Sequence, residues 1–257
     1  MARFDKLEFN TQTRAASEPN ERDPQARDAG YWMGKADEAR RIGLYESALQ
    51  YYSRALELDR ALAAGWIGQV QMLVQLGEYP EADLWGRKAL ELFPNNGELL
   101  AARAQAFCRL GDMKQAHALS DGSLRQAGQS AYRWLARGEI MVAARQDMDR
   151  HCFDKAQQLD PDWLVPLEIA RIELYHHRPS KALGRVRHAL KINPEAPFAW
   201  YMQGVCLAEL GLTRAARESF QYCLELSPRH ADAEEQLRRL HNWTWSPMKF
   251  LRRLFRR

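Results

Sequence analysis

The sequence predicts an all-α chain, a solenoid of six helix-turn-helix units closed by a C-terminal capping helix. Three observations carry this reading. Bulky anchors recur about every 34 residues, a glycine turn follows most of them at one offset, and most units close on a related apolar group. A single pair of amphipathic helices cannot bury both of its apolar faces, so each unit needs neighbours of its own kind.

The anchors of the first helices are Trp32, Trp66, Leu100, Trp134, Leu167 and Trp200, separated by 34, 34, 34, 33 and 33 residues. Turn glycines follow at Gly43, Gly77, Gly111 and Gly211. Small residues of the second helices fall at Ala48, Ala82, Ala116, Ala182 and Ala216, and Asp149 occupies the remaining slot. Four second helices close on Ala55–Leu58, Ala89–Leu92, Ala189–Ile192 and Cys223–Leu226, and prolines at 94, 161, 194 and 228 stop the helices before them. The most complete copy is 197–228, with Trp200, Gly204, Leu207, the turn at Gly211, then Ala216, Phe220, Cys223 and Leu226.

Taken together, these residues resemble the tetratricopeptide repeat, a 34-residue helix-turn-helix with an aromatic, small and proline pattern at set places. The resemblance covers units at 29–62, 63–96, 97–130, 131–163, 164–196 and 197–230. It implies a right-handed superhelix whose first helices line a concave inner face.

The departures from the pattern are also informative. Units four and five are each one residue short, assigned to their turns around 144–148 and 177–180, where glycine is absent and Pro179 appears. This predicts a changed angle between the paired helices and a bend in the array. Unit three has Ser120 and Ser123 in a glycine-containing stretch, which predicts that its second helix is the loosest. Residues 231–242 read as a capping helix with Leu237 and Leu240 turned to the last repeat, because a terminal unit otherwise exposes its apolar face. Residues 1–28 read as a flexible lead-in with a small apolar cluster at Phe4, Leu7 and Phe9.

Composition excludes several function classes. Apolar residues make up 46% and charged residues 27%, the balance of a folded chain. The net charge is +4, and residues 249–257 hold five cations without an acid, leaving −1 for the remainder. The basic field is therefore local, and nucleic-acid contact is the weaker alternative. Cys108, Cys152, Cys206 and Cys223 form no CxxC pair, so buried thiols in a reducing compartment are expected. The N-terminus has no secretory apolar core, and no run of 18 apolar residues is present. The expected location is the cytoplasm or the cytosolic face of a membrane.

No GxSxG, GxxxxGK[ST], GxGxxG after a strand or HExxH occurs. Adjacent pairs such as His176–His177 and His151–Cys152 diverge by about 100° on a helix and are poor chelates. No catalytic residue, metal, cofactor or small-molecule substrate is predicted.

The resemblance implies that the residue after each anchor, and the one four further on, point into the inner face. These are Met33 and Asp37, Ile67 and Gln71, Ala101 and Gln105, Leu135 and Glu139, Glu168 and Ile172, and Tyr201 and Val205. Arg40, Arg41 and Arg109 extend the N-terminal end, and Tyr175, Phe198 and Glu209 the C-terminal end. The family subclass that grips a terminal carboxylate uses a Lys and Asn set that this chain lacks. An amphipathic or extended protein segment with apolar anchors is the expected ligand. The competing reading of Met33, Ile67 and Leu135 is packing between helices.

The last fifteen residues carry a separate signal. Ser246–Pro247 marks a break. On a helical wheel Phe250, Leu251, Leu254 and Phe255 occupy one half with Met248, and Lys249, Arg252, Arg253, Arg256 and Arg257 the other. Trp243 and Trp245 precede this segment, the arrangement a membrane interface selects. Five cations near an anionic leaflet contribute up to about 5 kcal/mol. Three readings stay open: peripheral attachment to an anionic membrane, packing of the tail on the capping helix, and docking into the groove of its own or a neighbouring subunit. The functional expectation is a non-catalytic adaptor that holds a partner segment in its groove and attaches through the tail at 243–257. The alternative is an assembly module, self-associating or autoinhibited through that tail.

Overall fold

The computed structural model describes residues 28–244. These form thirteen helices and no strand. They fall into two compact units, which divide between Gln129 and Ser130.

The first unit contains α1 (Ala29–Arg41), α2 (Tyr45–Leu58), α3 (Ala63–Leu76), α4 (Tyr79–Leu92), α5 (Gly97–Leu110) and α6 (Met113–Arg125). Each helix packs on the next, and α3 also packs beside α5. Local chemistry sets the boundaries. Asp28 and Asn96 accept the N–H groups of Tyr31 and of Glu98 and Leu99 at the starts of α1 and α5, which satisfies donors that a helix start leaves free. Gly77 and Gly111 end α3 and α5 in the left-handed conformation, at φ of 84° and 86°. The Trp66 indole N–H donates to the Arg60 carbonyl at 3.0 Å. A large apolar anchor is thus buried without stranding its polar end.

Ser120 and Ser123 do not leave a gap in α6. Both are buried, and the Ser123 hydroxyl donates to the Gly97 carbonyl at 2.7 Å. The small side chains bring α6 close enough to α5 for that bond.

The second unit contains α7 (Ala131–Ala143), α8 (Asp149–Leu159), α9 (Leu164–Tyr175), α10 (Pro179–Ile192), α11 (Pro197–Glu209), α12 (Thr213–Leu226) and α13 (Ala231–Thr244). Its core includes Leu135, Val142, Phe153, Val165, Ile169 and Ile172. The Trp200 indole N–H donates to the Pro194 carbonyl at 2.7 Å, six residues earlier, at the same offset as Trp66 and Arg60. Helix α13 packs on α12, buries Ala233 and leaves Leu237 and Leu240 half-buried.

The structure moves one anchor and one deletion. Around α9 the left-handed turn residue is His177, at φ 57°, and the small buried residues are Ala170 and Ala182. They follow Pro166 by 11, 4 and 16 residues, the offsets at which Gly211, Gly204 and Ala216 follow Trp200. Pro166, not Leu167, therefore holds the anchor register. The 34-residue spacing is kept from Pro166 to Trp200, and both missing residues fall between Trp134 and Pro166. One is lost between the turn at Arg145 and the Asp149 slot. The other is lost in the short connection from α8 to α9, since Ala156 precedes Pro166 by one residue fewer than Ala189 precedes Trp200. Helix α8 accommodates the loss by being 11 residues long, whereas α10 and α12 each have 14.

Candidate functional site

The first-helix positions sort into solvent-facing and interior groups. In the first unit Asp37 is exposed, and Met33, Arg40, Arg41, Ile67 and Arg109 are half-buried. Asp37 accepts the Tyr52 hydroxyl at 2.6 Å, so this acid also ties α1 to α2. Arg109 donates to the Val74 carbonyl at 3.1 Å and lies over the Tyr79 ring. That joins the C-terminal ends of α3 and α5.

Gln71 and Gln105 are interior, 7% and 1% exposed, and Ala101 is also buried. The cause is the side-by-side packing of α3 and α5. Positions on the flank of a first helix are covered by the next one.

In the second unit the same effect removes Leu135, Glu139 and Ile172 from the surface, at 2%, 0% and 3% exposure. Leu135 and Ile172 belong to the core, so the packing reading of Leu135 holds. Glu139 lies 3.4 Å from His176 Nε2. The shifted register explains Ile172: with the anchor at Pro166, the equivalent inner-face positions are Leu167 and Arg171. Of these, Arg171 is half-buried and Leu167 is fully buried. Glu168 is half-buried and Tyr175 is exposed.

Helix α11 keeps Tyr201, Val205 and Glu209 accessible, the first two half-buried and the third exposed. Their spacing of four places them along one helix face. The Tyr201 ring stacks with Phe198, 6.1 Å away, and with His230, 4.9 Å away. Burial is the first cause that raises its phenol above the usual range. Phe198 itself is buried.

The four cysteines are free and buried. Burial pushes the Cys206 thiol up to about 12 and the Cys223 thiol to about 11. Both are neutral at physiological pH and serve as small apolar packing groups. Among the described residues no three or more His, Cys, Asp or Glu are arranged to hold a metal ion, and no helix is long and apolar enough to cross a membrane. Trp245 and residues 249–257 lie outside the described residues, as do the Trp243 side chain and the Phe4, Leu7 and Phe9 cluster.

One charged network escaped sequence reasoning. Asp149 accepts Arg178 Nη1 at 2.9 Å, and Lys181 Nζ lies 3.5 Å away. Arg178 also donates to the Val142 carbonyl at 3.3 Å. Burial pushes the Asp149 carboxyl up, but the Arg150 N–H and the Arg178 and Lys181 charges outweigh it and hold the group below the usual range. The signal was present in the sequence: an acid stands in the slot that Ala48, Ala82, Ala116, Ala182 and Ala216 occupy elsewhere.

The profile of the family described as Tetratricopeptide repeat matches residues 33–97 and 167–231, just over half of the chain. A solved structure shares the fold. A tetratricopeptide repeat protein from Parabacteroides merdae is 16% identical, with 86% of this chain and 87% of that chain covered and a TM-score of 0.52. A thermophilic TPR protein from Thermus thermophilus is 13% identical, with 82% and 98% covered and a TM-score of 0.49. YrrB, a TPR protein with an unusual peptide-binding site, is 19% identical, with 72% and 96% covered and a TM-score of 0.41. No curated protein matches. With its helix pairs, turn residues and anchor bonds repeating in register, this chain belongs to the tetratricopeptide repeat family.

Proposed function

We propose that the protein is a non-catalytic adaptor that holds a segment of a partner protein against its first helices. Family membership supports the interaction role, since repeats of this kind expose an extended inner face for a bound chain. The observation that carries the location is the accessible Tyr201, Val205 and Glu209 strip on α11. An aromatic surface, an aliphatic step and an acid at four-residue spacing suit an amphipathic or extended segment bearing apolar anchors and a cation.

A photo-crosslinking residue at position 205 tests this. We expect it to capture a discrete set of proteins that a crosslinker at the exposed Glu218 of α12 does not. Identical sets from the two positions would refute the reading.

The tail completes the proposal. Its segregated apolar and cationic halves support peripheral attachment to an anionic membrane. Full-length chain is expected to sediment with anionic vesicles and a chain ending at Asn242 to stay in solution. Equal sedimentation of the two removes the membrane half and leaves the adaptor half untouched.

A further inference from the structure

A second cleft of about 330 Å³ opens between α8 and α10, with α9 contributing its floor. It is separate from the first-helix strip and within the usual size range of ligand pockets, about 300–1,000 Å³. Its lining places the acids inside and two of its three cations outside, the third, Arg185, being 25% exposed. Asp149 and Glu173 are 8% and 2% exposed, whereas the side chains of Arg150 and Lys181 are 86% and 60% exposed.

The two acids are not equivalent. Asp149 is occupied by Arg178, Lys181 and the Arg150 N–H. Glu173 Oε2 is buried without a hydrogen bond, and its cation neighbour Arg178 Nη1 stands 3.6 Å off. A buried carboxylate oxygen left in this state costs about 1–3 kcal/mol or more. It is a vacant acceptor on the floor of an open cleft. At Gly184, midway along α10, an added Cβ would meet no atom within 4 Å, so the mouth is open at that point.

We propose that this cleft binds an acidic segment of a partner protein, with a backbone N–H donated to Glu173 Oε2 and side-chain carboxylates held by Arg150 and Lys181. Charge decides the class. A cationic group reaching for Glu173 would pass among Arg178, Lys181 and Arg185, where like charges oppose it. A neutral N–H meets no such barrier, and the exposed rim favours anions. An acidic polypeptide offers both groups on one chain.

The test is fluorescence anisotropy of a dye-labelled hexaglutamate peptide titrated with the full chain. Gly184→Trp fills the mouth, and Arg150→Glu reverses an exposed cation. Neither touches the core or the cations at 249–257. We expect each to weaken binding at least about tenfold, with helical circular dichroism unchanged and Val205→Arg without effect. Unchanged affinity in both variants, or no binding to the unmodified chain, overturns the proposal. Displacement of the peptide by equimolar inorganic phosphate would identify a small-anion site and also overturn it. Because the Val205 strip lies on another helix, failure here is distinguishable from failure of the adaptor reading.

Discussion

The Phe220 ring packs against Gly204 so closely that a side chain at 204 would bring its first carbon within 3.0 Å of three ring atoms. Phe220 is fully buried, and the glycine is what lets α12 reach α11. Burial of such a ring contributes about 1.5–3 kcal/mol. Phe153 and Gly138 stand in the same relation between α7 and α8.

Gly204→Ala is therefore expected to destabilise the protein. Alanine favours a helix interior by about 1 kcal/mol, but overpacking costs about 1–3 kcal/mol, so the net loss is about 1 kcal/mol. Gly34→Ala has no atom within 4 Å to displace and is expected to stabilise by up to about 1 kcal/mol. Urea unfolding of both variants checks the opposite signs; equal shifts would contradict the packing argument.

Gln69 is 1% exposed, and neither its amide oxygen nor its nitrogen has a partner. Gln69→Leu removes two stranded groups at similar volume. A gain of about 1–2 kcal/mol is expected, measured as a higher urea midpoint with an unchanged slope.

Arg145 takes φ 55° at a turn position that is glycine in four other units. The left-handed conformation costs a side-chain-bearing residue about 1–2 kcal/mol, and glycine's greater freedom in the unfolded chain returns about 0.5–1. Arg145→Gly is expected to raise stability by about 0.5–1 kcal/mol. A lower thermal midpoint would show that the arginine makes a compensating contact.

His230 caps α13: its Nδ1 accepts the Ala233 N–H at 3.3 Å. Burial, partly opposed by Asp232, holds its pKa below the usual 6.5. The unfolded chain thus binds the proton more readily than the folded one. The ring's contribution is complete above about pH 6.5 and declines as pH falls from there through the folded value. The thermal midpoint is expected to drop between about pH 7.5 and about 5.5. His230→Asn keeps a capping acceptor that does not titrate, so its drop should be smaller. Identical pH profiles would exclude His230 as the source.

Much of the fold is legible in the sequence because repetition multiplies weak local signals. A Trp anchor, a small residue four later, and a turn 11 later say little once, but recurrence in register leaves few alternatives. In the first unit a turn glycine stands 11 residues after each anchor, at Gly43, Gly77 and Gly111. Reading fails where the local chemistry is ambiguous. Leu167 is more anchor-like than Pro166, and the φ of His177, which establishes the register, cannot be read from its type.

The candidate site was less legible for a related reason. Spacing tells which face of a helix a residue occupies, and it correctly distinguishes Tyr201 and Val205 from the core residues Gly204 and Leu207. It does not tell how far the neighbouring first helix overlaps that face. The close packing of α3 on α5, and of α7 on α9, buries Gln71, Gln105, Leu135, Glu139 and Ile172.

The sequence by itself determined the helix pairs, their period and the glycines that join them, because these depend on local periodicity and backbone preference. Only the tertiary structure decided which polar groups are interior. The pairing of Asp149 with Arg178 and the vacant acceptor on Glu173 join α8, α9 and α10 across separations of about 24–29 residues, and the energy of a buried charge depends on its surroundings in space.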